Sequence, residues 1–435
     1  MITLRQSTVV ALALAGICSA SRSFSQELSR FDRDQGKMML NMIRDDLEKY
    51  YYDPGFRGMK MDEAFTAATD AIARATFHHE IYNAIAGPLL ALDDSHTFFF
   101  PPAWSAKIEF GWEMQMIGDH CYLAAIQPGS DAEAKGLLRG DRVLSVDGDR
   151  PSRDGMITML YEHRLLAPRA SSSLMIQSPG GKPREVIVKT KVSGEKRLWT
   201  KSTDLADLIR GLKDRAYLGR HRLHEVGSEL VIWKMPEFDL TREDVHRGIR
   251  IARKFPALIL DMRGNPGGAV ETLENMTGCF IEGETKIGEV KSRERMQPIT
   301  AKKGSVVFEG KLIVLVDSDS GSAAELLART MQLTGRAKVI GDRSAGAVMM
   351  SREYGRRIGS GTTMFFGSSI TVADIIMPDG KSLERVGVTP DEVMLPTGED
   401  LAAGRDPVLS HAASLCGVTL DPAKAGALFP IEWKR

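Results

Sequence analysis

The sequence predicts a multidomain α/β protein, on three observations. Apolar residues recur at helical spacing through the first stretch, short β-type runs replace them up to about Ser193, and strands then alternate with helices through most of the remaining chain. At 435 residues the chain also exceeds one ordinary core, by a prior of about 150 residues per domain. The expected order is an export segment over 1–25, a helical lobe over 26–105, a β-rich module over 106–194 and an α/β core with a largely parallel sheet over 195–435.

The export segment is read from Arg5 followed by the apolar run Val9-Val10-Ala11-Leu12-Ala13-Leu14-Ala15 and the small residues Ser19, Ala20 and Ser21. Cleavage after Ala20 or Ser25 would leave a periplasmic or secreted protein. The apolar run is shorter than the roughly 20 residues that span a bilayer, so the mature chain is expected to carry no integral membrane segment. Ile17 stands before Cys18 where a small residue would mark lipid attachment, which argues against a lipoprotein.

In the helical lobe Met38, Met39, Met42, Ile43 and Leu47 recur at steps of three and four. The lobe ends in Leu92-Asp93-Asp94-Ser95-His96-Thr97-Phe98-Phe99-Phe100-Pro101-Pro102, read as a loop because polar turn-formers meet an aromatic run stopped by two prolines. The next module holds the β-type runs Cys121 to Ile126 and Arg142 to Val146, a short capped helix after Ser130 and a turn at Asp147-Gly148, an arrangement that resembles a PDZ domain. A basic, polar joint around Glu195-Lys196-Arg197 precedes the core. There, strands at 230–233, 257–261 and 312–316 alternate with helices at 242–252, after Gly268 and from Ser322.

Composition excludes several classes of function. Lys plus Arg (57) balance Asp plus Glu (57), so no net field draws the protein to nucleic acid or an anionic membrane. Cys121, Cys279 and Cys416 form no C-x-x-C pair, and the His78-His79-Glu80 cluster lacks the spacing that sets two imidazoles on one helix face. It reads as a solvated helix end. No metal site is expected.

Ser322 follows the apolar strand Leu312 to Val316 through the turn Asp317-Ser318-Asp319-Ser320-Gly321 and opens a helix. A nucleophile there would gain from backbone N–H groups at the helix start, with Ala323 N–H as a natural oxyanion donor. The competing reading is that Ser322-Ala323-Ala324-Glu325 is only a capping box. A second glycine-rich turn, Asp261-Met262-Arg263-Gly264-Asn265-Pro266-Gly267-Gly268, follows the preceding strand and could supply another donor from Gly267 or Gly268. Its glycine spacing fits neither phosphate-loop pattern.

The stretches from Leu258 to Gly268, Gly321 to Glu325, Gly335 to Gly341 and Gly387-Val388-Thr389-Pro390-Asp391 resemble the carboxyl-terminal processing peptidase and tricorn superfamily of serine peptidases. The resemblance implies a ClpP/crotonase-like core, polypeptide substrates and no metal or organic cofactor. Of the superfamily's two catalytic schemes, the serine–lysine one is interrupted here, because Ala347 follows Gly346 where that lysine belongs. The tricorn-like scheme is matched by Ser95-His96 and by Glu384, three residues before Gly387. By resemblance Ser322 is the nucleophile and His96 its base, supported by Ser95 and Glu384. His96 is expected to titrate near 6.5, the ordinary value of histidine. Two other readings stay open: an inactive peptide-binding protein using the PDZ-like module, and a carrier of hydrophobic ligands on the same core.

Overall fold

The computed structural model describes residues 28–102, 107–193, 219–359 and 364–433, so the export segment and the joint at 195–197 lie outside the described residues. Helices Arg30–Tyr50, Met61–Arg74 and His78–Leu90 make the first lobe. Ser29 starts the first of them, its hydroxyl accepting from Asp32 N–H while the Asp32 carboxylate accepts from Ser29 N–H. Met39, Leu40, Ile43 and Leu47 are buried, whereas Met38 faces outward. The His78-His79-Glu80 cluster begins the third helix, where the Glu80 carboxylate accepts the backbone N–H groups of Thr76 and Phe77. It is a helix start.

The stretch after His96 departs from the expected loop. Phe98–Phe100 is a strand, paired antiparallel with Gly367 to Ser369 on the long strand Met364–Ile376. Three consecutive buried rings outweigh the two prolines that follow. The sheet they join also holds Thr285–Ser292, Met296–Ala301 and Met349–Ile358, all in antiparallel pairings. Simple strand–helix alternation missed this five-stranded sheet because its members are scattered along the chain. One apolar cluster runs without a break from the helices through this sheet into the 107–193 module. The module itself is a five-stranded antiparallel sheet of Trp112–Ile117, His120–Ile126, Arg142–Val146, Ser171–Gln177 and Arg184–Lys189, with helices at Asp131–Ala134 and Met156–Tyr161.

The core sheet has six strands in the order Glu392–Val393, Lys338–Gly341, Lys311–Val316, Ala257–Asp261, Leu230–Lys234, Arg222–Val226. Every neighbouring pair is parallel except the last. The central strands are apolar on both faces because both are covered. Leu258, Leu260 and Val314 pack among residues of helices Arg242–Ala252, Val270–Phe280 and Ala323–Leu333, while Ile259, Ile313 and Leu315 pack with the helix Pro407–Leu415. This layering brings the carboxyl ends of Ala257–Asp261 and Lys311–Val316 side by side, and both candidate turns leave from there.

Candidate active site

The turn after Val316 is tied before Ser322 is reached. The Asp317 carboxylate accepts the backbone N–H groups of Gly264 and Asp319 and the Gln115 side-chain amide, and the Ser320 hydroxyl donates to the Met262 carbonyl. Ser322 then adopts φ 51°, ψ −120°, a conformation that non-glycine residues avoid unless their surroundings impose it. Helix Ala323–Leu333 follows. The Ser322 hydroxyl makes no cap hydrogen bond to that helix, while the Glu325 carboxylate accepts Ser322 N–H at 3.0 Å. Only half of the capping box is formed, and the serine side chain has no share in it.

The glycine turn lies against this elbow. Burial would raise the Asp261 carboxyl, yet Arg263 and Lys234 beside it hold it well below the usual carboxylate range. Arg263 also pairs with Asp406 on the opposite face. Asn265, fully buried, donates from Nδ2 to the Met235 carbonyl and accepts Gly267 N–H on Oδ1 at 2.8 Å. Gly267 has φ 106°, and a Cβ there would stand 2.6 Å from Ser322 Cβ and 3.0 Å from Ala323 N. Only glycine permits that approach. Gly267 N–H already serves Asn265, and the Gly268 backbone lies against Phe238.

His96 sits on the turn before Phe98–Phe100, and a single carboxylate organises it. Asp94 accepts the backbone N–H groups of His96 and Thr97 and the hydroxyls of Thr97, Thr371 and Tyr51. Ser95 Oγ lies 2.6 Å from His96 Nδ1 and 2.8 Å from Glu384 Oε2, and Ser95 N–H donates to Glu384 Oε1 at 2.7 Å. Charge dictates the direction of this chain. An ionised Glu384 can only accept, so the one Ser95 hydroxyl proton points to it, and the hydroxyl lone pair must accept Nδ1–H. The Nε2 lone pair is then the basic position of His96.

Titration in the buried site departs from the expected behaviour. Burial pushes His96 down to about 4, against the raising influence of Asp94, instead of leaving it near 6.5. Burial likewise pushes Glu384 up to about 7, although Ser95 Oγ and the backbone N–H groups of Val348 and Ser95 stabilise its charge. Across neutral pH the imidazole is uncharged and the carboxylate is the group that titrates.

The two turns meet at residues 346–348. Ser322 N–H donates to the Ala347 carbonyl at 3.0 Å, Ala347 N–H donates to Glu325 at 2.9 Å, and Val348 N–H donates to Glu384 at 3.0 Å. Ala347, where the other catalytic scheme has its lysine, is buried. Among the described residues no hydrogen bond joins the Ser322 hydroxyl directly to the His96 imidazole. Beside Gly321 opens a cavity of about 60 Å³, walled by Met116, Met156 and Leu160 of the module and by Pro266 and Ala347 of the core. The module is docked there by Ser318 Oγ donating to the Met116 carbonyl, by Arg153, which pairs with Asp342 and donates to the Arg343 carbonyl, and by Gly118 N–H donating to Asp342. Asp94 and Asn265 were given no role in the sequence, and Glu325 was read there only as the last residue of a capping box. Asp94 had a local signal in an Asx-type turn over Asp94 to Thr97.

Comparison with known proteins agrees with this architecture. Residues 230–394 match Peptidase family S41. The carboxyl-terminal-processing protease of Picosynechococcus sp. is 25% identical over 362 residues, covering 80% of this chain and 81% of the relative. The carboxy-terminal processing protease CtpB of Bacillus subtilis is 23% identical over 393 residues, covering 81% and 73%. The crystal structure of mature CPAF shares the fold at TM-score 0.65 and 14% identity, covering 86% of this chain and 94% of that one. The family match and these relatives mark the chain as a serine-type peptidase that is similar to the carboxyl-terminal processing proteases.

Proposed function

We propose that the protein hydrolyses peptide bonds in exported proteins or peptides, with Ser322 as nucleophile and His96 as general base. Ser322 Oγ forms a bond to the substrate carbonyl carbon while its proton passes to His96 Nε2. That proton then leaves with the amine as the C–N bond breaks, and water releases the acyl group by the same path. Ala323 N–H and Gly268 N–H donate to the oxyanion. Ser95 and Glu384 hold the imidazole in the tautomer whose Nε2 is free to accept. The PDZ-like module over 106–194 contributes Met116, Met156 and Leu160 to the cavity beside Gly321, which suits an apolar side chain next to the scissile bond.

The observation that carries this reading is the Glu384–Ser95–His96 hydrogen-bond chain, which leaves Nε2 as the basic atom and is joined through residues 346–348 to the strained Ser322 backbone. The test is a serine-directed phosphonate followed by peptide mapping. Ser322 should be labelled in the wild type, and Ser322→Ala should lose both labelling and hydrolysis. Labelling at Ser318 or Ser320 would overturn the assignment. Amino-terminal sequencing from the native host should find the mature chain starting after Ala20 or Ser25.

A further inference from the structure

Glu325 is fully buried, and among the described residues no lysine or arginine pairs with it. A carboxylate in that position is costly unless hydrogen bonds replace its hydration. Four donors do so. Ser344 Oγ (2.5 Å) and Gly346 N–H (2.8 Å) donate to Oε1, while Ala347 N–H (2.9 Å) and Ser322 N–H (3.0 Å) donate to Oε2. An ordinary capping glutamate serves the start of its own helix. Here three of the four donors come from a segment 19 to 22 residues further on.

Resting on the assignment of Ser322 as nucleophile, we propose that Glu325 is a positioning residue for the hydrolysis, an ionised carboxylate that holds the Ser322 backbone and residues 344–347 together. Both oxygens are doubly occupied by donors, and three of those donors are backbone N–H groups that cannot accept. A proton on Glu325, or the amide of a glutamine, would set donor against donor. Burial works against the ionised form and pushes this carboxyl up to about 7, and the four donors are what limit that rise. One end of the network grips the nitrogen of the residue held at φ 51°, and the other grips the segment whose next residue, Val348, donates to Glu384. If the grip is lost, Ser322 can relax from its strained backbone, and its Oγ and the Ala323 N–H shift away from the reacting carbonyl together. The consequence falls first on turnover, and of the cavity walls named above only Ala347 is held by the same carboxylate.

The test compares wild type, Glu325→Gln and Glu325→Asp at pH about 8, reading the phosphonate labelling rate per folded molecule with kcat and KM on a peptide. Glu325→Gln should slow labelling and lower kcat by about a hundredfold or more while KM stays within about threefold. Glu325→Asp keeps the charge and should recover part of the loss. A Glu325→Gln protein that folds and is labelled at the wild-type rate overturns the proposal. If that variant does not fold, Ser344→Ala removes one donor and keeps the carboxylate, and labelling should then slow by about tenfold per folded molecule. A wild-type rate in Ser344→Ala overturns the proposal equally. A wild type that is not labelled at Ser322 instead overturns the nucleophile assignment, before any Glu325 variant is compared.

Discussion

The turn that carries Ser322 is tied both by its own helix and by the glycine turn around Met262 and Gly264, whereas the turn that carries His96 is closed by residues from the far end. Glu325 grips Ser322 from 3 residues away and Ala347 from 22, inside a parallel sheet that is apolar on both faces. Ser95 meets Glu384 across 289 residues, and Asp94 meets Thr371 across 277. The chemistry differs as well. On the nucleophile side a carboxylate acts on backbone N–H groups and fixes a conformation. On the base side a carboxylate acts through a hydroxyl and fixes the position of a proton. Disturbing the first side should misplace atoms, and disturbing the second should misplace charge.

The largest expected effect lies on the nucleophile side: Ser322→Ala should reduce kcat by about a millionfold, measured on a peptide substrate, with the fold retained by circular dichroism. His96→Ala should fall close behind with KM little changed, because the Ser322 hydroxyl stays protonated without its base. Full activity in that variant would falsify the tricorn-like scheme even with Ser322 intact. Ala347→Lys should not rescue it, since a lysine placed at this buried position would have to displace packed neighbours before it could reach Ser322.

Glu384→Gln should cost about a thousandfold, less than removing the base. Its pH profile sharpens the comparison further. Burial places both Glu384 and Glu325 at about 7, and each must be ionised to accept its donors, so activity should rise through pH 7 with a two-proton slope. Removing one carboxylate by Glu384→Gln should leave a one-proton slope, measurable from log kcat/KM against pH. A limb near 6.5 that Glu384→Gln leaves unchanged would return the titration to His96.

The smallest effect concerns stability. Glu384 is raised from its ordinary 4.5 to about 7, so the native state keeps its proton longer than the unfolded chain does. That contribution is complete below about 4.5 and is lost as pH rises through 7. His96 runs the other way: its contribution is present above its ordinary 6.5 and is lost as pH falls toward about 4. Glu384→Gln should therefore flatten the fall in Tm between pH 5 and 8 by a few degrees, readable by calorimetry.

Local pattern was enough for the nucleophile side. The strand into Ser322, the helix out of it and the glycine turn beside it lie within continuous stretches whose periodicity and turn residues specify them, and the helix at 242–252 and the strand at 257–261 appear at the residues expected. Phe98–Phe100 was misread because its partner strand begins at Met364, and pairing at that distance leaves no trace in local spacing. The acidity of His96 was misread for the same reason, since burial on every side is a property of the assembled domains. Met38 fits the helical spacing and still faces outward, because spacing picks out a stripe without fixing its edges. Ser95, His96 and Glu384 were found through resemblance, as nothing in their own neighbourhoods points one toward another.

The 289-residue reach between Ser95 and Glu384 also sets an order of events during synthesis. A chain emerging amino end first exposes the His96 turn early and the Ser322 elbow late, and Glu384 later still. Until it arrives, Ser95 lacks the Glu384 carboxylate, and until Met364–Ile376 is made, Phe98–Phe100 lacks its partner strand. Contacts this distant form slowly because the intervening loop must close first. On the proposed assignment, a chain that has not yet brought Glu384 to Ser95 should be inert, and activity should appear only after that distant contact has closed.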